Sequence, residues 1–456
     1  VIPLPENAEQ VSQYLKKAEE HVSSVIQELI ALPDLNKTPE AMMRPWNRLA
    51  NELLGYFKVL SYLAEEDSFL FKEQAAQGVE ALKRFVYVSM MQNQELYYAF
   101  MGYIRGSVDK QLSAYDREQI CSLLDSFSDV GDSKEVELLK QEFSRGEKKP
   151  FLYLESPYTP AKHTQSTWKV LTLNTCFISD DFPYLYGGAT LPWQDRVKPL
   201  AQKAMETRAD VLCFQEVFSE DAFQALYEEL QKEYKYFYGA IGPRFLGLSL
   251  KTIGLSSGLC IASKYPLELP RFTLFSKAGF PMNYGVFDFV VRKEGTVPGH
   301  CYVTHMQSLD QEAFLQIRDS QLGEIIAKME EDQASTKEKM LFFLCGDLNI
   351  PWNSFEPAEK RLRSYFYDGY TEGQKIVDES NSTCTYYFTN YLLSKTKNPN
   401  EIDPKFQILD YGLIPNSLLS KYSIKTTRIL MNDLKQPETA TSDHHGLLAE
   451  IQEKLL

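Results

Sequence analysis

The stretch that decides the reading of this chain is Met340-Leu341-Phe342-Phe343-Leu344-Cys345-Gly346-Asp347-Leu348-Asn349. An unbroken apolar run this short reads as a strand buried on both faces, since a strand with one wet face would alternate. The run breaks at Gly346 and delivers an acid and an amide at its end. Similar runs recur at Lys169–Leu173, Val211–Phe214, Gly258–Ala262, Val286–Val291, Cys301–Thr304 and Ile408–Leu413. Between them, Arg196–Thr207, Glu220–Lys232 and Leu315–Glu330 space their apolar residues as one face of a helix. Strands so apolar need helices over them, so residues 165–456 are expected to form a layered α/β domain.

Polar residues stand at the ends of these strands. Asn174 follows Val170-Leu171-Thr172-Leu173, Glu216 follows Val211–Gln215, and His305 follows Tyr302-Val303-Thr304. Asp347 and Asn349 close the opening stretch, and Asp410 sits inside Ile408–Tyr411. Ser442-Asp443-His444-His445-Gly446 precedes the last strand. A sheet gathers such ends from distant parts of a sequence into one cleft. Carboxylates mixed with amides suit a hard, oxygen-loving cation such as Mg²⁺ (or Mn²⁺ or Co²⁺), and histidines beside them supply proton transfer for phosphoryl chemistry. A carboxylate next to the apolar run before Glu216 costs several kcal/mol unless it is paired or metal-bound. Of the tandem His444-His445, one imidazole is expected to work and the other to pack, with His444 the working one.

The chain before residue 150 has a different texture. Val11, Leu15, Ala18, Val22, Val25, Ile26 and Leu29 mark one helix face, which Pro33 stops. Thr38-Pro39-Glu40 reads as a cap, a first-turn proline and a dipole-matched acid opening a second helix. Further helical spacing runs from Phe69 to Met91, Gln94 to Ile104 and Ala114 to Phe127. No strand spacing and no catalytic cluster appears there, so residues 1–150 are expected to be an all-α binding or lid module. Arg145–Pro150 and Thr159–Thr167 read as a linker.

Composition narrows the function. The 456 residues carry 44% apolar and 24% charged residues and a net charge of −14. So acidic a chain disfavours nucleic-acid binding, which draws on a surplus of Lys and Arg. No run reaches the roughly 18 to 20 apolar residues of a membrane-spanning helix. The N-terminal residues resemble no signal peptide, and without an initiator Met the chain reads as processed or trimmed. Most of the seven cysteines lie in apolar runs and read as buried small hydrophobes. Ala240–Leu250 is apolar and punctuated by glycine, fit either for peripheral insertion into a bilayer surface or for a buried hairpin.

In this order and spacing, the segments Leu171–Thr175 (LTLNT), Phe214–Val217 (FQEV), Val303–Ser308 (VTHMQS), Gly346–Asn349 (GDLN), Leu409–Gly412 (LDYG) and Ser442–Gly446 (SDHHG) resemble the endonuclease/exonuclease/phosphatase superfamily. The resemblance implies a four-layer α/β sandwich, two packed mixed sheets flanked by helices, and a metal-dependent phosphoesterase. It implies that Glu216 is the principal metal ligand with Asn174 beside it, and that Asp347 and Asn349 orient the attacking water and the phosphate. His305 would stabilise the pentacovalent phosphorus, Asp443-His444 would form the acid–base pair, and Asp410 would orient a histidine.

Phe214–Gly239, Ser256–Leu267 (SSGLCIASKYPL), Thr304–Ser308 and Ile317–Ile325 are similar to the neutral sphingomyelinases, including the bacterial sphingomyelinase C enzymes. That narrower likeness implies a phospholipid substrate split to release choline phosphate. The bacterial enzymes it resembles are secreted, whereas unpaired cysteines favour a reducing interior, so the compartment stays open. Lys264, Lys277 and Tyr284 are candidate phosphate contacts; Tyr284 stands where that group often carries a lysine. A nuclease or an inositol-polyphosphate phosphatase shares the same catalytic set, and a silent scaffold binding a protein through the helical region is a further alternative. Asn36–Leu49 and Tyr115–Phe127 faintly resemble the N-terminal helices of thimet-type oligopeptidases. The His-Glu-x-x-His zinc signature is absent, so no peptidase activity follows.

Overall fold

The computed structural model describes residues 5–33, 36–65, 70–105, 151–159, 166–177, 192–242, 256–278, 282–308, 312–369, 386–387, 406–431 and 441–454, with isolated positions between 107 and 139. The chain divides into two compact units, one within Val1–Lys149, the other built from Pro150–Asp180, Ala189–Pro243 and Ser256–Leu456.

The described residues before 150 form helices and no strand. Helix α1 (Ala8–Ala31) starts where the Asn7 side chain accepts from the Gln10 N–H at 2.9 Å, and stops ahead of Pro33. Helix α2 (Pro39–Glu65) opens on the expected cap, with Thr38 Oγ1 accepting from the Ala41 N–H at 3.2 Å. Helices α3 (Lys72–Val86) and α4 (Gln94–Arg105) follow, joined through a π-helical turn at Tyr87–Met91. Val11, Ala18, Val22, Trp46, Leu82 and Phe100 are buried in their common core. The helix read over Ala114–Phe127 and the linker at 145–150 lie almost wholly outside the described residues. So does most of 240–250, of which Ala240 and Ile241 are buried.

The second unit is laid down as strands β1 (Leu152–Glu155), β2 (Thr167–Phe177), β3 (Val211–Val217), β4 (Tyr236–Gly239), β5 (Cys260–Ser263), β6 (Leu267–Leu274), β7 (Gly285–Val291) and β8 (Gly299–His305). Then come β9 (Leu341–Asp347), β10 (Phe366–Asp368), β11 (Tyr386–Tyr387), β12 (Phe406–Gln407), β13 (Asp410–Pro415), β14 (Tyr422–Ile429) and β15 (Gly446–Glu453). Helices α5 (Trp193–Glu206), α6 (Glu220–Leu230), α7 (Glu312–Ser335) and α8 (Pro357–Tyr365) lie between them. One sheet runs β1-β4-β5-β3-β2-β15-β14 and the other β10-β13-β9-β8-β7-β6, while β11 and β12 pair apart. The pairs β2/β3 and β8/β9 are parallel and their other neighbours antiparallel, so both sheets are mixed.

The strands turn one set of side chains to each other across the sheets: Val170, Val211 and Ile261 meet Phe287, Val303 and Phe343 in one core. The opposite faces are closed by helices. Leu200, Ala204, Phe223 and Leu226 of α5 and α6 cover the first sheet, and Leu322, Ile325 and Leu362 of α7 and α8 cover the second. Helix, sheet, sheet and helix make the four-layer sandwich. All five described cysteines are buried and free. Among the described residues no helix is long and apolar enough to cross a membrane.

β1 lies ahead of residue 165 and pairs antiparallel with β4, so the sheet already takes in chain upstream of the boundary read from sequence.

Candidate active site

Strand register assembles the site. In the second sheet His305 sits directly opposite Asp347, and Asp347 directly opposite Asp410, so three polar side chains stand in a row across β8, β9 and β13. In the first sheet Asn174 pairs with Gln215, one residue before Glu216, at the parallel ends of β2 and β3. Asn174 closes the gap between the sheets. Its Nδ2 donates to Glu216 Oε1 at 3.0 Å and to Asp347 Oδ2 at 3.0 Å, while its Oδ1 accepts from the Cys176 N–H. His305 Nε2 lies 3.5 Å from Asp347 Oδ2 and 3.9 Å from Glu216 Oε1.

His444 arrives from the segment before β15. Its Nδ1 meets Asp410 Oδ2 at 2.8 Å and its Nε2 lies 3.7 Å from Asp347 Oδ2. Burial works against the imidazolium, but the Asp410 and Asp347 carboxylates outweigh it and hold the His444 pKa well above the ordinary histidine value. Asp347 is pushed up to about 7, chiefly by burial and then by the charge of Asp410. Asn349 donates its backbone N–H to Asp347 Oδ1 at 2.9 Å and its Nδ2 to the Met306 carbonyl at 2.9 Å. One Asp347 oxygen is thus held by its own turn while the other faces the amide and both histidines.

The backbone is bent to reach this geometry. Glu216 and Asn349 adopt φ of 62° and 52°, the left-handed region that costs non-glycine residues about 1–3 kcal/mol. Gly346 has φ 145°, and a Cβ there would stand 1.9 Å from the Thr304 carbonyl oxygen. Gly346→Ala is therefore expected to cost on the order of 3 kcal/mol or more and to displace Asp347. Urea denaturation of the variant checks it; a loss below about 1 kcal/mol would show that the strand accommodates a side chain.

The residues Asn174, Glu216, His305, Asp347, Asn349, Asp410 and His444 are brought together. Asp443 is buried beside them, but the hydrogen-bond partner found for His444 is Asp410. Its neighbour Ser442 carried no role in the sequence reading, although it stands inside the quoted motif. The Ser442 hydroxyl donates to the Asn174 carbonyl at 2.6 Å and accepts from the His444 N–H at 3.1 Å.

The candidate contacts Lys264 and Tyr284 are placed differently from each other. Lys264 lies at the other end of the sheet: its backbone N–H donates to Asp210, the residue before β3, and its Nζ to the Arg208 carbonyl. Tyr284 is 1% exposed and packs edge-on to the His305 ring, its hydroxyl accepting from Gln307 Nε2 at 3.4 Å, so it backs the histidine.

His445 is packed into the fold. Its Nδ1 accepts from the Met431 N–H at 3.2 Å, and burial, reinforced by Arg428, pushes its pKa down to about 3. The folded chain then refuses a proton that the unfolded chain takes up below 6.5, so stability falls as pH drops from 6.5 toward 3. The loss tends to about 1.4 kcal/mol per pH unit, or roughly 2 kcal/mol by about pH 5. His445→Asn, which keeps an acceptor but cannot titrate, is expected to flatten that acid decline. Urea midpoints at the two pH values test it, and equal slopes in both proteins would contradict it.

As a donor set, two carboxylates converging on one amide are rich in hard oxygen and fit a divalent cation. Ligand atoms of Asp347, Asp410 and His444 also lie within 4.8 Å of one another. Asp347 thus joins the pair Glu216 and Asn174 at the cation's expected place. A second cluster, Asp288, His300 and Asp332, is already met by cations: Arg271 contacts both acids, at 2.6 and 2.9 Å, and Lys328 stands 3.3 Å from Asp288. It reads as an ion network beneath α7.

Residues 171–393 match the Endonuclease/Exonuclease/phosphatase family. The match takes in just under half of the chain, and the likeness to this superfamily extends to the sphingomyelinases. The chain's relatives include sphingomyelin phosphodiesterase 2 of Mus musculus, 24% identical over 60% of this chain and 63% of that protein. Sphingomyelinase C 2 of Leptospira interrogans is 26% identical over 49% of this chain and 37% of that one. The chain spans less than two thirds of the length of the curated relatives it matches. Among solved structures, sphingomyelinase C from Streptomyces griseocarneus aligns at a TM-score of 0.47 and 19% identity, over 63% of this chain and 99% of that one. A beta toxin variant from Staphylococcus aureus with bound magnesium ions aligns at 0.46 and 21%, over 62% and 98%. The candidate site residues described above come from both sheets, and residues 370–393 of the match lie outside the described residues apart from Tyr386 and Tyr387.

Proposed function

We propose that this chain is a Mg²⁺-dependent phosphodiesterase acting on a phospholipid of the sphingomyelin type and releasing its phosphorylated head group. The observation that carries the reading is the single hub at Asp347 Oδ2, where Asn174, His305 and His444 converge beside Glu216. A bound divalent cation supplies positive charge against a non-bridging phosphate oxygen. Glu216 and Asp347 are the side chains that would hold it, with the Asn174 amide tying the two carboxylates together.

The remaining chemistry belongs to the chain. Asp347 and Asn349 orient a water for in-line attack at phosphorus. His305, held against Tyr284, places its Nε2 where negative charge grows on the equatorial oxygens. Asp410 occupies His444 Nδ1, which fixes the tautomer and leaves Nε2 to exchange the proton with the reacting oxygen. A new P–O bond forms from water, the P–O bond to the lipid breaks, and the lipid oxygen leaves with a proton.

The lipid assignment is supported by the sphingomyelin phosphodiesterases among the relatives and by the net charge of −14, which repels a polyanionic strand. Turnover of sphingomyelin vesicles, plasmid DNA and a soluble inositol polyphosphate, each with Mg²⁺, tests it. Choline phosphate released from the first alone is the expected result. Preferential cleavage of either of the others would move the substrate class and leave the phosphoesterase chemistry standing.

A further inference from the structure

Strand β2 leaves its register with β3 just beyond Asn174: Asn174 pairs with Gln215 and Phe177 with Val217, so Thr175 and Cys176 together face the single residue Glu216. Cys176 takes φ 53° in this bulge. A bulge re-aims side chains next to it, and here Asn174 and Glu216 of the proposed cation site stand at it. It also turns backbone carbonyls out of the regular ladder, and buried carbonyls must find donors.

Those donors come from one side chain. Arg196 of α5 is 2% exposed. Its Nη1 donates to the Thr175 carbonyl at 3.0 Å and its Nη2 to the Cys176 carbonyl at 2.5 Å. The same Nη1 donates to the Thr441 carbonyl at 2.9 Å, and Thr441 precedes Ser442-Asp443-His444. The Phe177 ring lies 5.2 Å from the guanidinium carbon, a cation–π contact that helps seat the charge. One planar fork therefore ties the segment carrying Asn174 to the segment carrying His444.

We propose that Arg196 is a positioning residue that registers the cation-holding end of β2 against the acid–base segment before β15. It touches neither substrate nor cation in this role; it acts through the three carbonyls. A lysine in its place keeps the charge but offers a point instead of a fork, so it cannot span both segments. The kinetic part of the test rests on the phosphodiesterase reading above, whereas the structural part does not.

The experiment compares wild type with Arg196→Lys by amide hydrogen exchange, Mg²⁺ calorimetry and steady-state kinetics on sphingomyelin vesicles. The expected result is loss of protection confined to the peptides covering 172–177 and 441–446, weaker Mg²⁺ binding, and kcat lowered about 10- to 100-fold with KM changed less than about twofold. Unchanged protection in both peptides, or kcat within about twofold of wild type, would overturn the proposal. Loss of protection spreading through β3 and β9 would also overturn it, by making Arg196 a support of the whole fold. If wild type turns over no phosphodiester, the functional reading fails by itself, and the exchange pattern still decides whether Arg196 joins the two segments.

Discussion

Replacing His444 with alanine is expected to lower kcat on sphingomyelin by on the order of 10² to 10⁴, the range found for a positioned acid–base group. The size follows from the side chain's two contacts: Asp410 on Nδ1 at 2.8 Å, and Nε2 facing Asp347 Oδ2 at 3.7 Å. Asp410 works through His444, so Asp410→Asn is expected to reduce kcat by a smaller factor. The double variant should then be little worse than His444→Ala alone, because groups acting as a unit are not additive. Truncation also leaves two buried carboxylates near each other, so His444→Gln serves as a control that fills the space. Steady-state kinetics on the single and double variants reads all of this. Strict additivity of the two losses would separate Asp410 from His444, and full activity in both His444 variants would remove the histidine from the reaction.

Glu216→Ala is expected to cost a comparable factor, on the order of 10² to 10³, by a different route. Glu216 shares the Asn174 amide with Asp347, and its left-handed backbone turns the carboxylate toward the second sheet. Its removal takes away half of the carboxylate pair that would hold a divalent cation, so the heat of Mg²⁺ binding should vanish together with turnover. The fold should survive, because alanine keeps the same left-handed backbone cost as glutamate and the neighbouring core of Phe214 and Val217 is untouched. Isothermal titration with Mg²⁺ next to a thermal melt makes the comparison. A Glu216→Ala protein that still binds Mg²⁺ as wild type does would place the cation elsewhere.

What could be read from sequence follows from where each strand sits. The central strands β2, β3, β7, β8, β9 and β13 are covered on both faces and appear as apolar runs, and all were visible. Those left unread include β1, β6, β10 and β14, which are the four sheet edges. An edge strand meets solvent, so β14 alternates buried and exposed residues around Lys425 and Arg428, and β6 carries Pro270 and a register shift between Glu268 and Arg271. Neither looks like a buried run.

The site divides the same way. Acids, amides and histidines at the ends of legible strands were found in the sequence because their chemistry is conspicuous against apolar surroundings. Partner choice was legible only in part: Asp410 was expected to orient a histidine, but not which one. That Asp410 rather than Asp443 bonds His444 depends on the antiparallel register that sets Asp410 opposite Asp347. Lys264 illustrates the converse: it follows a buried strand as the site residues do, but β5 runs antiparallel to β3, so its end falls at the wrong edge of the sheet.

In the proposed reaction, water attacks phosphorus at the Asp347 hub. Hydrolysis of sphingomyelin in heavy-oxygen water with Mg²⁺, followed by mass analysis of both products, tests that directly. The prediction is label in the phosphorylated head group and none in the released lipid alcohol, with product formation collapsing in His444→Ala. Label in the lipid alcohol, or equal labelled product from His444→Ala, would contradict it.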